Sequence, residues 1–364
     1  MREYNSLLAP RATEGPHPMT HAAPTFSLGL IGCGHWGPNH LRAFMSLPGV
    51  RVVWAADPDP ARREHVARMY GHVRIAIDHR PILDDPSVDA VIIATSATSH
   101  FDLCTAAIQV GKHVLCEKPL CLRSTECLEL VTAAKRRGVV LMVGHVFLFN
   151  GGILKLHELI LQKALGRLYY ASAIRTNLGP VRQDVNAAYD LASHEVSIFN
   201  FLFDSSPQTV SAVGRACLNT GIEDVVFITL RYPNDILISV TASWLNPKKV
   251  REITLVGEKK MVTWNDLAVG PVAIYDKGVF LEPYYENFGE FQLAVRDGDV
   301  TIPRVSAEEP LRRQASFFIE SLAKGSAGMC SGEAAWHVIR SLEAINESLA
   351  KGGSPVTLGP GRTP

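Results

Sequence analysis

The sequence predicts an α/β protein in two parts: a doubly wound parallel sheet first, then an α+β domain built on a large, mostly antiparallel, open-faced sheet. Three observations carry this reading. The chain has 364 residues, about twice a typical domain. From Phe26 to Val143 short apolar runs alternate with helical stretches, the mark of strand–helix–strand units. After Gly151 the pattern changes to long runs at strand period, separated by turn signals such as Pro233-Asn234.

In chain order, strands are expected over 26–31, 50–55, 73–75, 90–95, 113–116 and 139–143. Several are apolar on consecutive residues, as parallel strands buried on both faces must be. Helices are expected over 38–47, 60–70, 99–109 and 124–137, with Ser124 as a cap and Gly138 as a stop. Beyond them come a helix over 153–165, strands over 168–177, 208–219, 225–231, 236–245, 252–256 and 260–264, a helix over 188–203, and closing helices over 307–323 and 332–350. The division is a disordered tail over 1–24, a cofactor domain over 25–146, a substrate-binding and oligomerisation domain over 147–352, and a flexible tail over 353–364. Met19 is a second candidate start.

Lys+Arg and Asp+Glu balance at 36 each, so no basic excess serves a nucleic-acid backbone, and a small ligand fits better. The longest apolar run is too short to span a bilayer, and the N-terminus has no charged start followed by an apolar core. The expected location is therefore cytoplasmic. Seven scattered cysteines with no CxxC pair read as reduced thiols. No histidine pair has metal-ligand spacing, and no metal is expected.

Gly32-Cys33-Gly34-His35-Trp36-Gly37 follows the first strand and opens the first helix. That context makes a GxGxxG a dinucleotide cradle: one glycine for the turn, one for close approach of a pyrophosphate, one for helix–strand contact. Asp57 ends the second strand, 57 − 37 = 20 residues past the last glycine, where a carboxylate accepts from ribose hydroxyls and repels a 2′-phosphate. This selects NAD over NADP, although Arg62 and Arg63 nearby could pair with that phosphate. Asp57 could otherwise cap the turn at Pro58.

Glu117-Lys118-Pro119 stands at the end of the fifth strand, and Asp190-Leu191-Ala192-Ser193-His194 in the later helix. With the glycine loop and Ile93-Ala94-Thr95, these motifs resemble the glucose-fructose oxidoreductase / inositol dehydrogenase / MocA family over residues 26 to about 350. The resemblance implies a Rossmann domain, an NAD-dependent dehydrogenase, and Lys118, Asp190 and His194 as the catalytic set. The residues agree. Removing a hydride from a carbinol carbon needs a base for the hydroxyl proton, and His194 is the natural one. Asp190, four residues earlier, could orient the imidazole or bind a sugar hydroxyl. Lys118 could stabilise a developing alkoxide.

Other assignments follow from the same resemblance. Glu117 would bind the nicotinamide ribose beside a cis Pro119, Thr95 and His100 would lie beside the cofactor, and His145 would line the site. Ser96 departs from the proline usual after that threonine. Gly37-Pro38-Asn39-His40, Gly144 through Asn150, and Asn177-Leu178-Gly179 resemble the branch that contains UDP-N-acetylglucosaminuronate 3-dehydrogenases. Its implied substrate is a sugar or sugar nucleotide oxidised at a C3-type hydroxyl. A uronate would call for Arg175 and Arg182 flanking Asn177, unless these pair with Asp184 or Asp190. The alternative substrate is an aminoglycoside or inositol-type intermediate, which would use carboxylates such as Asp184, Asp190, Glu195 and Glu286. A third reading is a non-catalytic, cofactor-sensing regulator. The broad sheet suggests a homodimer or homotetramer.

Overall fold

The computed structural model describes residues 26–218, 221–280 and 294–359. The expected tail over 1–24, the last residues of the second tail, and Glu286 lie outside them.

Six strands form the first sheet: β1 (Phe26–Ile31), β2 (Val50–Ala56), β3 (Arg74–Ala76), β4 (Ala90–Ile93), β5 (His113–Cys116) and β6 (Leu141–Val143). They run parallel in the order β3-β2-β1-β4-β5-β6. β4 and β6 are buried at every residue, because helices cover both faces. Those helices are α1 (Gly37–Met45), α2 (Pro60–Met69), α3 (Arg80–Asp84), α4 (His100–Gln109) and α5 (Ser124–Arg137). The strand order reverses between β1 and β4, which opens a crevice at their C-terminal ends.

Two local expectations need correction here. α3 was not foreseen, since five residues are too few to show a helical period. Ser124 is not a cap: Arg123 precedes the helix with no side-chain cap, and the Ser124 N–H donates to the Glu343 carboxylate at 2.8 Å. A carboxylate from the far end of the chain supplies what a local cap would have given. Gly138 ends α5 at φ +66, as expected.

The second half holds α6 (Gly151–Leu161), β7 (Leu168–Thr176), α7 (Ser193–Phe203), β8 (Thr209–Arg215), β9 (Val225–Arg231), β10 (Leu237–Ser243), β11 (Val250–Gly257), β12 (Met261–Asn265), β13 (Val272–Phe280), β14 (Ala294–Thr301), α8 (Pro310–Lys324), α9 (Gly332–Ala350) and β15 (Val356–Thr357). Its strands lie in the order β14-β13-β12-β11-β7-β10-β9-β8-β15. Neighbours are antiparallel except β7 and β10, which pair in parallel. β9 shows the one-sided burial: Val226, Ile228 and Leu230 face the core while Phe227, Thr229 and Arg231 face out. β13 and β14 were not foreseen because glycine and charged residues, Asp276-Lys277-Gly278 and Arg296-Asp297-Gly298-Asp299, break the alternation of an edge ribbon. β15, of two residues, was missed for its length.

The closing helices tie the halves together. Phe318 of α8 packs edge-on to Phe44 of α1 with ring centroids 6.0 Å apart, and Lys135 of α5 pairs with Glu333 of α9 at 3.2 Å. The crevice beside β1, β4 and β5 is therefore held between two bodies that share a core.

Candidate active site

The chain leaves β1 into Gly32, whose φ is +97 and whose added Cβ would lie 2.6 Å from the Ala94 carbonyl. At Gly37 a Cβ would meet the Gly32 carbonyl at 2.3 Å. Only glycine permits this turn. A Cβ at Gly34 would meet nothing nearer than Arg62 Nη1 at 3.6 Å, so this face is open to a phosphate. Pro38 follows Gly37 at the start of α1, no acidic residue sits in its first turn, and the free N–H groups there suit an anion. His35 and Trp36 lie edge to face at the mouth, with Trp36 43% exposed.

Asp57 is buried and caps the turn at Pro58, one of the two roles weighed from the sequence. One carboxylate oxygen accepts from the Asp59 N–H at 2.9 Å and closes the turn. The other accepts from the Cys33 N–H at 2.8 Å and braces the glycine loop. Each oxygen keeps a lone pair for a ribose hydroxyl. Arg62 Nη1 stands 3.7 Å away, while Arg63 donates to the Asp57 and Pro58 carbonyls. The cradle thus fits a dinucleotide.

His100 is buried with its ring nitrogens at 2.8 Å from the Pro119 carbonyl and 3.2 Å from that of Thr95. It links the loops after β4 and β5. Thr95 accepts from Ser99 Oγ at 2.8 Å. The Lys118–Pro119 bond is cis. Glu117 meets His40 Nε2 at 2.7 Å; burial opposes its ionisation, but the His40 contact and the neighbouring Lys118 hold its carboxyl below the ordinary value. His40 was quoted in the sequence only as part of a motif. Its signal was its place among Gly37, His40, Leu41 and Phe44, the buried face of α1, where a polar residue needs a partner.

Lys118 reaches across to the second half. Its Nζ donates to the Asp190 carbonyl at 3.0 Å and lies 3.7 Å from Asp190 Oδ1. Burial lowers its ammonium pKa, and Asp190 and Glu117 work against that shift. Asp190 also accepts from Trp244 Nε1 at 3.0 Å and sits 3.5 Å from Arg182. The expected helix over 188–203 is in fact a wide π turn over 188–192 followed by α7. Such turns recur where a helix start is adapted to a site.

His194, in the first turn of α7, meets the Phe147 ring edge-on at 4.9 Å. Its Nδ1 is buried with no hydrogen-bond partner among the described residues. Asp190 does not orient this imidazole through a hydrogen bond: its carboxylate is turned to Trp244 and to the cations Lys118 and Arg182. Burial and then the charge of Lys118, with Arg175, His145 and Arg251 behind it, hold the imidazole well below its ordinary pKa. His145 is buried with neither ring nitrogen hydrogen-bonded among the described residues, and burial pushes its pKa down to about 4.

Both arginines assigned to a substrate carboxylate already hold one. Arg175 is 2% exposed and donates to Glu195 Oε1 at 2.5 Å. Arg182 forks onto Asp184 at 2.8 and 2.5 Å. Glu195 was beyond the pairings weighed from the sequence, since β7 and α7 meet only in three dimensions. Asn177 donates to the Gly179 carbonyl at 2.5 Å and shapes the turn before Arg182. Among the described residues no group of three or more His, Cys, Asp or Glu could hold a metal ion, and no helix is long and apolar enough to cross a membrane.

Comparison with known proteins gives matching family descriptions for both halves. Residues 26–145 match the GFO/IDH/MocA oxidoreductase family, NAD-binding Rossmann fold, and residues 153–263 match the GFO/IDH/MocA C-terminal domain. The inositol 2-dehydrogenase of Acidothermus cellulolyticus is 32% identical over 223 residues, 59% of this chain and 65% of that protein. The chain thus spans just under two thirds of the length of this curated relative. Two solved structures share the fold. GenD2 from gentamicin A biosynthesis, in complex with NAD, has a TM-score of 0.78 at 23% identity, over 95% of this chain and 100% of that one. The UDP-N-acetylglucosamine 3-dehydrogenase GnnA of Acidithiobacillus ferrooxidans has a TM-score of 0.76 at 22% identity, over 91% and 99%.

Proposed function

The chain belongs to the GFO/IDH/MocA oxidoreductase family, and from that premise we propose that it oxidises a secondary hydroxyl of a sugar, sugar nucleotide or related polyol to a ketone. One observation supports the proposal: Lys118 of the first half reaches Asp190 of the second at 3.0 Å, and its charge acts on the His194 imidazole four residues on. NAD, held by the glycine loop and Asp57, supplies the hydride acceptor. The carbinol carbon loses its hydrogen as hydride, and the hydroxyl loses its proton to the His194 imidazole, which its surroundings keep neutral. The Lys118 ammonium faces the oxygen as negative charge grows there. Asp190, fixed by Trp244, holds Lys118 in place and offers its remaining lone pairs to a substrate hydroxyl.

The charges around this set are internally paired, Arg182 with Asp184 and Arg175 with Glu195. That balance favours a neutral, hydroxyl-rich ring over a uronate or a polycation. The names of the relatives point the same way, toward inositol and UDP-N-acetylglucosamine. An aminoglycoside intermediate is the second reading, favoured by the fold shared with a protein of gentamicin A biosynthesis. A cytoplasmic enzyme suits seven free thiols. Assembly as a homodimer or homotetramer would cover the outer sheet face, where Tyr170, Ile174, Phe227 and Leu237 are exposed.

The test is incubation of purified protein and NAD with UDP-sugars, free sugars, inositols, uronates and aminoglycosides, followed by NADH absorbance. Turnover with neutral polyols is expected. Tight NAD binding without turnover on any compound would favour the regulator reading instead.

A further inference from the structure

Arg175 and Arg251 face each other directly across β7 and β11. Two like charges in register on neighbouring strands repel. Each has a carboxylate partner: Glu195 for Arg175 at 2.5 Å and Asp266 for Arg251 at 3.0 Å. The first of these pairs is costly, because it is almost wholly buried and bonded through a single contact. Among the described residues, Arg175 Nη2 and Glu195 Oε2 have no hydrogen-bond partners. A buried pair with unmet hydrogen bonds is poor evidence of added stability, so its place in the fold needs another reason.

That reason lies in what the arginines touch. The Arg175 guanidinium sits 4.2 Å from the centroid of the Phe147 ring, and that of Arg251 sits 5.3 Å from it. Both are within cation–π range. The same ring meets the imidazole of His194 at 4.9 Å with an interplanar angle of 68°, and Trp264 closes another side at 6.3 Å. Phe147 is thus wedged between two cations and the candidate base, and Glu195 is the next residue to His194 in the chain.

We infer that Phe147, Arg175 and Arg251 are positioning residues for His194: the ring fixes the imidazole edge-on, and the two guanidiniums hold the ring against it. This rests on His194 being the base proposed above. The charged and titratable groups gathered about it are Glu117 and Lys118 after β5, His145 after β6, Arg175 on β7, Arg182, Asp184 and Asp190 before α7, Glu195 on α7, Arg251 on β11 and Asp266 after β12. Each arginine here is paired, Arg175 with Glu195, Arg182 with Asp184 and Arg251 with Asp266, yet after burial the charges of Lys118, Arg175 and Arg251 are among the causes that lower the His194 imidazole's pKa. A neutral imidazole can take the hydroxyl proton directly, while its lowered pKa makes it the weaker base, so the shift trades driving force for the correct protonation state.

The experiment is an NMR titration of the histidine imidazoles in the full-length protein saturated with NAD, with His194→Gln identifying the signal of His194. In the wild type that signal is expected to stay in its neutral form well below pH 6.5. In Arg175→Met/Glu195→Gln, which replaces the buried pair by uncharged groups of similar size, its protonation constant should rise about tenfold. Arg251→Gln, at a less buried position, should move it the same way by a smaller factor and keeps the test open if the double variant does not fold. An ordinary His194 titration in the wild type, or an unshifted one in folded variants, overturns the inference. The titration needs no substrate. The base assignment is tested separately by turnover of His194→Gln with whichever polyol reduces NAD, so the two can fail independently.

Discussion

The two halves of the crevice are built by different means. On the cofactor side the work is done by backbone: a turn that only glycine can make, the free N–H groups of α1, and a carboxylate that binds two loop amides. On the substrate side it is done by side chains that find partners far away in sequence, Asp190 with Trp244, Arg175 with Glu195, Phe147 with His194. Backbone constraints are local and have fixed spacing. Side-chain pairings depend on how β7, β10 and β11 come together. One half is therefore a rigid cradle, and the other a charge-balanced wall whose details can change without altering the fold.

The strongest way to break the first half is Gly32→Ala. At φ +97, with the Ala94 carbonyl 2.6 Å from the new Cβ, strain and overpacking should cost ~3 kcal/mol or more. NAD affinity measured by calorimetry should fall more than ~100-fold, with a lowered Tm. Asp57→Ala acts on the same half more gently. It removes the brace on Cys33 and the expected ribose acceptor, so NAD binding should weaken by ~1–3 kcal/mol and the gap between NAD and NADP should narrow. Unchanged cofactor preference would take Asp57 out of the ribose site.

The substrate side carries a pH signature. His145 titrates near 6.5 when unfolded but at about 4 when folded. Between those values the unfolded chain binds a proton that the folded chain refuses. Stability is therefore fully present above pH 6.5 and declines as pH falls toward about 4, by about 2 kcal/mol between pH 7 and pH 5. Urea unfolding at both pH values should show a smaller drop in His145→Gln than in the wild type. An equal drop in both would move the effect elsewhere. The smallest change expected is Trp244→Phe, which keeps the ring but loses the 3.0 Å hydrogen bond to Asp190. It should lower kcat/KM by ~3–10-fold and leave NAD affinity alone. A loss of NAD affinity instead would show that the halves are coupled at this point.

The contrast also explains what could be read from the chain. Strands such as 113–116 and 225–231 and helices such as 124–137 and 332–350 appear where the apolar pattern puts them, because burial on one or both faces leaves a local period. Gly32, Gly37 and Asp57 were legible for the same reason. β13 and β14 were not, since of their described side chains only Val272 is buried and no apolar face imposes alternation. Lys118, Asp190 and His194 could be named from motifs, but their partners could not. Asp190 proved to face Trp244, 54 residues away, and Arg175 to face Glu195 across β7 and α7. His40 was passed over because only the meeting of α1 with the loop after β5 gives it a partner in Glu117.

The most direct test is the turnover of Lys118→Ala, His194→Ala and the double variant, on a polyol that the wild type oxidises, with NAD affinity measured alongside. Each single variant should bind NAD normally and lose ~10²–10⁴ in kcat. The double variant should be little worse than the poorer single one, because groups that handle one proton together are not additive. If both single variants turn over at near wild-type rates, the two halves do not meet at an active site there, and the assignment is wrong.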